Sequence, residues 1–307
     1  MWKHLDLIPY LNYHVNVKQN LNLSKAFSDH RRSYDRNLYV YPVISRRSKG
    51  LSIGINLNPD KVCNFDCVYC QVDRRAPGHP PLVEIPLILH ELKQMLESVM
   101  SGQFYLDPRF KDIPRDQLIL RDIAFSGDGE PSTFPLFLEL TQGVISLKNE
   151  LGFFELKVVV ITNASGLGRL EVQKALDLLD KHHGEIWAKL DAGTEAYFHE
   201  ICRTPVGFQK ILDNIQFAAQ KRPIVIQSCF MKIDGKGPSE DELEAYAEQF
   251  RRIFENHGKL KLIQIYTVAR VPAEPCVTPL EDHELDEIVE RIRLKIKNVP
   301  LEAFYHA

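Results

Sequence analysis

Two periods of apolar residues alternate along most of the chain, beginning near residue 50. Residues 51–57 place Leu and Ile at every second position, which is the pattern of a strand with one apolar face. Short apolar runs of similar length recur five more times before the C-terminus. The six predicted strands are 51–57, 118–125, 156–161, 186–190, 224–231 and 261–268.

Between the predicted strands, apolar residues are spaced three or four positions apart, as on a helix that buries one face. In the helix predicted to start at Phe208, the residues Phe208, Ile211 and Ile215 fall on one stripe. The last predicted helix is expected to open at Thr278, which precedes a proline, and to end near Lys297.

Strands that alternate with helices indicate an α/β fold with a parallel sheet and right-handed crossovers. Six strands are too few to close into the eight-stranded barrel. We therefore predict one α/β unit over residues 50–307, preceded by a short basic N-terminal extension, residues 1–49. Side chains that do chemistry are expected at the C-terminal ends of the strands.

The composition is that of an ordinary globular protein, with 44% hydrophobic and 26% charged residues. No apolar run is long enough to cross a bilayer, and the first residues lack the apolar core of a secretory signal. We therefore expect a cytoplasmic protein without membrane contact. In that reducing compartment, thiols stay available to metals and disulfides are not expected.

The net charge of −3 is unevenly distributed, because residues 1–50 hold nine Lys and Arg against three Asp and Glu. Basic side chains interleaved with tyrosines suit a nucleic-acid strand. A solvated arm laid over the barrel would have the same composition, so both interpretations stay open. Six of the nine lie close together, Arg31, Arg32, Arg36, Arg46, Arg47 and Lys49, and Tyr34, Tyr39 and Tyr41 lie among them.

Three of the six cysteines fall within eight positions, with the spacing C-x3-C-x2-C. Such a loop can place three thiolates around an iron–sulfur cube, which usually takes four, so that one iron stays open for a ligand. A structural zinc site is usually built from two pairs, and the sequence holds no second pair. The loop cysteines are Cys63, Cys67 and Cys70, whereas Cys202, Cys229 and Cys276 stand apart.

This spacing, with Tyr69 just before the last cysteine, resembles the signature of the radical S-adenosylmethionine (SAM) enzymes. The resemblance implies a partial (β/α)6 TIM-type barrel and a [4Fe–4S] cluster on the three loop cysteines. It also implies that SAM chelates the open iron and is cleaved reductively to methionine and a 5′-deoxyadenosyl radical. An external ferredoxin or flavodoxin would supply the electron.

A glycine-rich turn, Gly127-Asp128-Gly129-Glu130, follows the second predicted strand. Two glycines around a short acid allow the backbone to approach a ligand closely, although a plain turn has the same composition. In radical SAM enzymes, a Gly-Gly-Glu stretch at this place hydrogen-bonds the ammonium of SAM. The resemblance therefore implies that these four residues seat SAM.

Polar residues at other strand ends are further candidates. Thr162 and Asn163 follow the third strand and could contact the methionine or ribose of SAM, or cap a turn. Lys189 and Asp191 share one strand face, where they could face the cofactor or form a buried ion pair. Arg270 follows the sixth strand and could clamp an anionic substrate.

Two glutamines, Gln227 and Gln264, lie in otherwise apolar strands and need partners if they are buried. SAM, the substrate or a neighbouring strand could supply those partners. Among the separate cysteines, Cys229 is interpreted as a core residue and Cys202 as a half-buried helix residue. Cys276 lies on the loop after the sixth strand, where a ligand or catalytic role is conceivable.

Within the radical SAM family, residues 50–290 resemble the branch that contains the wyosine-type tRNA-modifying enzymes. The resemblance lies in Asn58-Pro59, the cysteine loop and residues 125–131, 189–193 and 266–275. That branch binds a second cluster through cysteines that precede the loop, whereas residues 1–62 contain no cysteine. No flavodoxin-like domain is apparent either.

Several candidates therefore stay open for the substrate, and one alternative stays open for the class of protein. The branch resemblance implies an RNA base, with tRNA as the partner. A protein, as for an activase, or a small metabolite would be compatible with the same cofactor chemistry. A non-catalytic iron–sulfur or zinc-binding sensor is the candidate from a different class.

Overall fold

An eight-stranded sheet forms the centre of the part of the chain that the structure describes. The computed structural model describes residues 34–76, 78–79, 83–296 and 299–305. A separate two-stranded pairing joins β7 (Lys232–Ile233) to β9 (Val277–Thr278). In their order across the sheet, the eight strands are β1 (Val40–Ser45), β2 (Gly50–Ile55), β3 (Leu120–Phe125), β4 (Lys157–Thr162), β5 (Gly184–Lys189), β6 (Ile224–Phe230), β8 (Leu260–Thr267) and β10 (Leu301–Phe304).

Helices connect successive strands and cover one face of the sheet. Each buries an apolar stripe, as the three-to-four spacing predicts. The helices among the described residues are α1 (Ile85–Ser101), α2 (Phe137–Glu150), α3 (Leu170–Leu179), α4 (Glu195–Cys202), α5 (Phe208–Lys221), α6 (Glu240–Glu255) and α7 (Asp282–Lys295).

Within the eight-stranded sheet, the strands from β2 onward pair parallel, whereas β1 pairs antiparallel with β2. The six predicted strands are all present, with ends that differ from the prediction by two residues or fewer. The fold class is thereby confirmed as an α/β partial barrel. The C-terminal ends of the parallel strands meet at one rim, where ligands bind in such folds.

The sequence pattern does not predict the two edge strands, β1 and β10. β1 contains Pro42 and β10 follows Pro300, and proline is accepted only at edges and ends of sheets. β1 falls inside the predicted extension, so the predicted division at residue 50 separates two strands that pair directly. Residues 1–33 of that extension lie outside the described residues.

A buried carboxylate on α1 holds the chain that enters β1. Glu91 is 4% exposed and accepts hydrogen bonds from the backbone N–H groups of Leu38, Tyr39 and Val40 at 2.9–3.0 Å. The donors that an edge strand would otherwise leave unsatisfied are thereby paired. This contact fixes β1 against the helical layer.

Side chains link the two edges of the curled sheet. Lys49, in the turn between β1 and β2, forms an ion pair with Glu302 of β10 at 2.9 Å. Arg46, in the same turn, donates a hydrogen bond to the backbone carbonyl of Tyr305. The sheet therefore curls far enough to bring its first and last strands within side-chain reach.

The main core lies between the sheet and the helices, and a second, smaller cluster lies on the other face of the sheet. Side chains alternate along each strand, so the second cluster fills the concave side. It consists of Ala124, Val159, Trp187 and Val225, one from each of four adjacent strands. No helix among the described residues is long and apolar enough to cross a bilayer.

The start of the last helix differs from the prediction. Thr278 lies in β9 and pairs with Lys232 rather than capping a helix. α7 begins three residues later, where Glu281 and Glu284 form the capping box. The cause is the strand pairing, which the local sequence does not reveal. The predicted end at Lys297 lies outside the described residues.

Candidate active site

The cysteine loop follows β2 and closes over the rim formed by the strand ends. Cys63, Cys67 and Cys70 all line one cavity of about 280 Å³. The turn at 127–130 and the end of β4 line the same cavity. Chain segments that are 60 to 100 residues apart in the sequence therefore meet at one place.

The end of α4 supports the cysteine loop from below. The backbone N–H of Asp66 donates to the carbonyl of Cys202 at 3.1 Å, and that of Val68 donates to Ile201 at 2.9 Å. The last carbonyls of a helix lack partners within the helix, so they are free to accept these bonds. Phe65 adds an edge-to-face contact with Phe198, with ring centroids 5.9 Å apart.

Arg74 connects the loop to the glycine-rich turn. Its guanidinium donates to the carbonyl of Asp128 at 2.9 Å and also to the carbonyl of Lys61. A third contact reaches the sulfur of Cys70 at 3.5 Å. One side chain thus fixes the spacing between the third cysteine and the turn.

The glycines of that turn are needed for packing against the chain that leads into the cysteine loop. A Cβ at Gly127 would lie 2.3 Å from Oδ1 of Asn56, and one at Gly129 would lie 2.3 Å from the carbonyl of Val62. The close approach that the glycines permit is therefore to protein. Both glycines also line the cavity, so their closeness to a ligand stays a prediction.

Glu130 is buried and ties the turn to the end of β4. Its carboxylate, 3% exposed, accepts from the backbone N–H of Ser132 at 3.0 Å, from Oγ1 of Thr162 at 2.6 Å and from the N–H of Asn163 at 2.6 Å. Burial raises the pKa of Glu130, although these hydrogen bonds oppose the rise. The side chain lines the cavity with most of its accepting capacity already used.

Asn163 extends this bridge to the cysteine loop. Its side-chain amide donates to Oδ1 of Asn64 at 2.9 Å, and Asn64 donates in turn to Ser165 at 2.8 Å. Thr204 donates to the carbonyl of Asn64 at 3.0 Å. Thr162 and Asn163 also cap the turn after β4, because their side-chain oxygens accept from the N–H groups of Ala164 and Ser165 at 3.0 Å, and both line the cavity.

The thiols of the loop differ in their surroundings. Burial raises the pKa of Cys63 to about 11. A hydrogen bond from the thiol of Cys202 lowers the pKa of Cys67, and the same contact raises that of Cys202. Cys202 is 3% exposed, so the sequence-based picture of a half-buried helix residue understates its burial and misses its contact.

A buried polar network lies beside the second and third cysteines. Lys189 forms an ion pair with Asp191 at 3.0 Å, donates to the hydroxyl of Tyr266, and lies 4.7 Å from the ring centroid of Tyr69. Asp191 accepts from the hydroxyl of Tyr69 at 2.6 Å and from the backbone N–H of Cys229 at 2.7 Å. Burial favours the neutral form of Lys189, but Asp191 and Tyr266 outweigh it and raise its pKa.

The buried ion pair considered for Lys189 and Asp191 is therefore the arrangement observed. Lys189 also lines the main cavity, and Asp191 lines a small one behind it. Arg270 lines the main cavity, and its carbonyl accepts a hydrogen bond from Gln71 at 3.4 Å. Cys276 is half-buried and is not part of the cavity lining.

The two strand glutamines are partners of each other. Nε2 of Gln227 donates to Oε1 of Gln264 at 2.7 Å, which confirms the neighbouring-strand interpretation. Gln227 is fully buried and lines the cavity. Its own Oε1 has no hydrogen-bond partner among the described residues.

The described part of the basic extension turns toward the sheet. Arg46 and Arg47 line the cavity, and the Arg47 guanidinium lies 5.0 Å from the ring centroid of Tyr266. Lys49 is held by Glu302. Arg31 and Arg32 lie outside the described residues, so the six basic residues do not form a single described surface.

The donor set fits the iron–sulfur cluster that the resemblance implies. Among the described residues, no three His, Cys, Asp or Glu side chains are grouped around a single metal ion. A cube makes a different demand, because each thiolate binds its own iron. Three thiols from one loop that line a common cavity meet that demand, and the cavity gives a fourth ligand access.

Sequence reasoning misses four residues of this site: Arg74, Asn64, Cys202 and Arg47. Most of their contacts are with loops and strand ends from other parts of the chain, so no local pattern shows their role. Only Arg74 carries a signal in the sequence, as a basic residue four positions after the last loop cysteine.

Comparison with known proteins gives one family. Residues 57–250 match the family model described as the Radical SAM superfamily. A UPF0026 protein of Methanocaldococcus jannaschii is 30% identical over 162 residues, which are 53% of this chain and 43% of that protein. The matches span 32–61% of the length of the curated relatives.

Two solved structures share the fold. SuiB of Streptococcus suis, bound to S-adenosylmethionine, is 16% identical with a TM-score of 0.55, over 84% of this chain and 51% of SuiB. TYW1 with a lysine-pyruvate adduct bound is 15% identical with a TM-score of 0.54, over 90% of this chain and 80% of TYW1. At such identities the likeness concerns the fold alone.

Proposed function

This chain belongs to the radical SAM superfamily and is an enzyme of that class, and from this premise we propose which of its residues perform the chemistry. Cys63, Cys67 and Cys70 bind the [4Fe–4S] cluster, and SAM occupies the cavity that they line. The family uses that cluster and SAM, together with an external reductant.

One arrangement supports this proposal most strongly. The three thiols, the turn at 127–130 and the residues after β4 line a single cavity at the C-terminal rim of a parallel sheet. Active sites of α/β barrels lie at this rim. A passive or structural metal loop would have no need of a polar cavity beside it.

The chain itself binds SAM, orients it and keeps water out of the cavity, because the cofactor performs the radical chemistry. When bound, the cluster supplies one electron to SAM, which yields methionine and a 5′-deoxyadenosyl radical. α4 and Arg74 hold the cysteine loop rigid against the rim. The buried network around Lys189 and Asp191 fixes Tyr69 next to the third cysteine.

We assign two different roles within the residues that the resemblance implies for SAM. The backbone of Gly127, Asp128 and Gly129 contacts SAM in the cavity. Glu130, Thr162 and Asn163 are positioning residues, because their polar atoms bond to one another, to the turn and to the cysteine loop. This departs from the hydrogen bond between Glu130 and the SAM ammonium that the resemblance implies.

Three charged residues act on the substrate side of the cavity in this proposal. Lys189 and Arg270 line it and offer positive charge. Asp191 lies behind Lys189 and positions it. An external ferredoxin or flavodoxin reaches the cluster from the loop side.

Anaerobic reconstitution tests the cluster assignment. The wild-type protein should bind one [4Fe–4S] cluster, and alanine at Cys63, Cys67 or Cys70 should abolish it, as measured by iron content and visible absorbance. Cys276→Ala is the matched control, because this cysteine lies outside the cavity lining. A colourless wild-type protein with stoichiometric zinc would refute the assignment.

A tRNA substrate stays a prediction from the branch resemblance. Of the basic residues that motivated it, Arg46, Arg47 and Lys49 contact the sheet, whereas Arg36 is exposed. Each phosphate that a protein neutralises adds roughly 0.7–0.9 to the slope of log affinity against log salt. Titration of tRNA at several salt concentrations, with wild type and Arg36→Ala, is the test; absence of binding at low salt excludes this substrate.

A further inference from the structure

A row of polar side chains crosses the concave side of the sheet below the cysteine loop. The strand register places Lys189 of β5 opposite Gln227 of β6, Gln227 opposite Gln264 of β8, and Gln264 opposite Glu302 of β10. The small apolar cluster of the concave side includes Trp187 and Val225, two residues before this row. The row therefore lies between that cluster and the upper rim, at the inner end of the cavity.

Gln227 is the member of this row that needs a ligand. One end of its amide is bound to Gln264 at 2.7 Å, and the other end, Oε1, has no partner among the described residues. The side chain is 0% exposed and lines the cavity. A buried acceptor without a donor costs free energy, and a ligand with an N–H or O–H group would supply that donor.

Two arginines bring positive charge to the same end of the cavity. Arg47 lies over the ring of Tyr266 and has no ion-pair partner among the described residues. Its neighbour Arg46 also lines the cavity, and burial, followed by the Arg47 charge, lowers the pKa of Arg46. An anion next to the two guanidinium groups would offset the burial and the like-charge repulsion that lower the pKa of Arg46.

The charge of the whole lining favours an anion in addition to SAM. SAM carries one more positive than negative charge, and an oxidised [4Fe–4S]2+ cube with three thiolates carries one net negative charge, so these two cofactors cancel until the cluster is reduced. Lys189 is already paired with Asp191, so four arginines then face two carboxylates. The arginines are Arg46, Arg47, Arg74 and Arg270, and the carboxylates are Asp128 and Glu130.

We propose that the inner end of the cavity binds a small oxyanion, a carboxylate or a phosphate, that carries its own hydrogen-bond donor. Arg47 binds the oxyanion through its planar fork, and Oε1 of Gln227 accepts the donor. This inference deepens the proposed function, on which it rests, by naming the class of substrate. The site should therefore prefer a small acidic substrate to a neutral molecule of similar size.

Binding of small probes to the reconstituted protein with SAM tests the inference. N-acetylglycine has both features, N-acetylglycinamide lacks the carboxylate, and N-acetylsarcosine lacks the N–H group. Inorganic phosphate has a charge and an O–H group, so it reports on the phosphate source. Ligand-observed NMR should show binding of N-acetylglycine or phosphate. Each deficient analogue should bind at least roughly tenfold more weakly than N-acetylglycine.

Variants assign the two contacts separately. Arg47→Ala should weaken the binding of N-acetylglycine by about tenfold or more. Arg47→Lys should lose less affinity, because it keeps the charge. Gln227→Met should bind N-acetylglycine and N-acetylsarcosine equally, because the acceptor that distinguishes them is gone. Arg252→Ala, which removes an exposed arginine on α6, is the control for charge and should bind as wild type does.

Three outcomes would overturn the inference. One is that neither acid probe binds at tens of millimolar. Another is that N-acetylglycinamide binds as tightly as N-acetylglycine. The third is that SAM excludes the acid, which would make Arg47 a contact of the SAM carboxylate. Failure of the proposed function appears separately, as loss of the cluster absorbance or of SAM binding.

Discussion

Glu130 illustrates how a single side chain in this site acts through its neighbours. The resemblance to the radical SAM enzymes implies a SAM contact for it, at the end of a Gly-rich turn after a strand. In the structure, its carboxylate holds the N–H groups of Ser132 and Asn163 and the hydroxyl of Thr162. The motif predicts the position of the residue correctly, whereas its contacts depend on β4, which lies 30 residues away.

Glu130→Ala should destabilise the protein more than removal of an exposed carboxylate. The substitution leaves three donors without their acceptor, and each buried donor left unpaired costs about 1–3 kcal/mol. We expect the free energy of unfolding to fall by about 3 kcal/mol or more in urea titrations. Asp73→Ala, at an exposed carboxylate, should change it little; equal effects would contradict the bridging role.

The same residue predicts a pH dependence of stability. Burial raises the pKa of Glu130 above its ordinary value of 4.5. A carboxyl of this kind stabilises the folded state fully below the unfolded pKa, and the contribution is lost as the pH rises through the higher, folded pKa. The free energy of unfolding of wild type minus that of Glu130→Gln should therefore decrease from pH 4.5 upward. An increase would show that the three hydrogen bonds outweigh burial.

The ion pair of Lys189 and Asp191 should behave as a buried pair. Removal of either partner leaves an uncompensated charge, which costs about 3–5 kcal/mol. Lys189→Met and Asp191→Asn should each cost that much, and the double variant should recover part of the loss. The exposed pair of Lys174 and Glu171 is the control, at about 0–1 kcal/mol. Additive losses in the double-mutant cycle would contradict direct pairing.

At the scale of elements, the sequence predicts the six inner strands well because their apolar runs are long and bounded by turns. It fails at β1 and β10, which are edge strands next to prolines and lie in a basic segment and near the C-terminus. It also fails at the docking of the cysteine loop on α4. That contact joins Val68 to Ile201, and no local pattern reports a pairing across more than 130 residues.

Stability of α4 should therefore affect retention of the cluster. Thr194 caps this helix through a hydrogen bond from the N–H of Tyr197 at 3.2 Å. Thr194→Ala should cost about 1–2 kcal/mol and speed the loss of iron to a chelator. Glu281→Ala, at the cap of α7, should leave the rate of iron loss unchanged. Equal rates of iron loss in both variants would show that the stability of α4 does not affect retention of the cluster.

At the scale of the whole molecule, the strand–helix alternation predicts a parallel α/β sheet, and the resemblance to the radical SAM enzymes implies the partial barrel. Both are properties of sequence, so the fold class and the rim location follow without coordinates. The inner end of the cavity does not follow, because Arg47 comes from the turn after an unpredicted strand and Gln227 looks like an ordinary strand residue. Arg47 reaches this place through its contact with Tyr266 of β8, and the register of β8 with β6 places Gln227 beside Gln264, two residues before Tyr266.

Formation of 5′-deoxyadenosine is the measurement that tests the central claim most directly. The reconstituted wild-type protein, supplied with SAM and a chemical reductant under anaerobic conditions, should release 5′-deoxyadenosine and methionine, detected by mass spectrometry. A variant with alanine at Cys63, Cys67 and Cys70 should release neither. A wild-type protein that holds a full [4Fe–4S] cluster and binds SAM, yet forms no 5′-deoxyadenosine, would contradict the account.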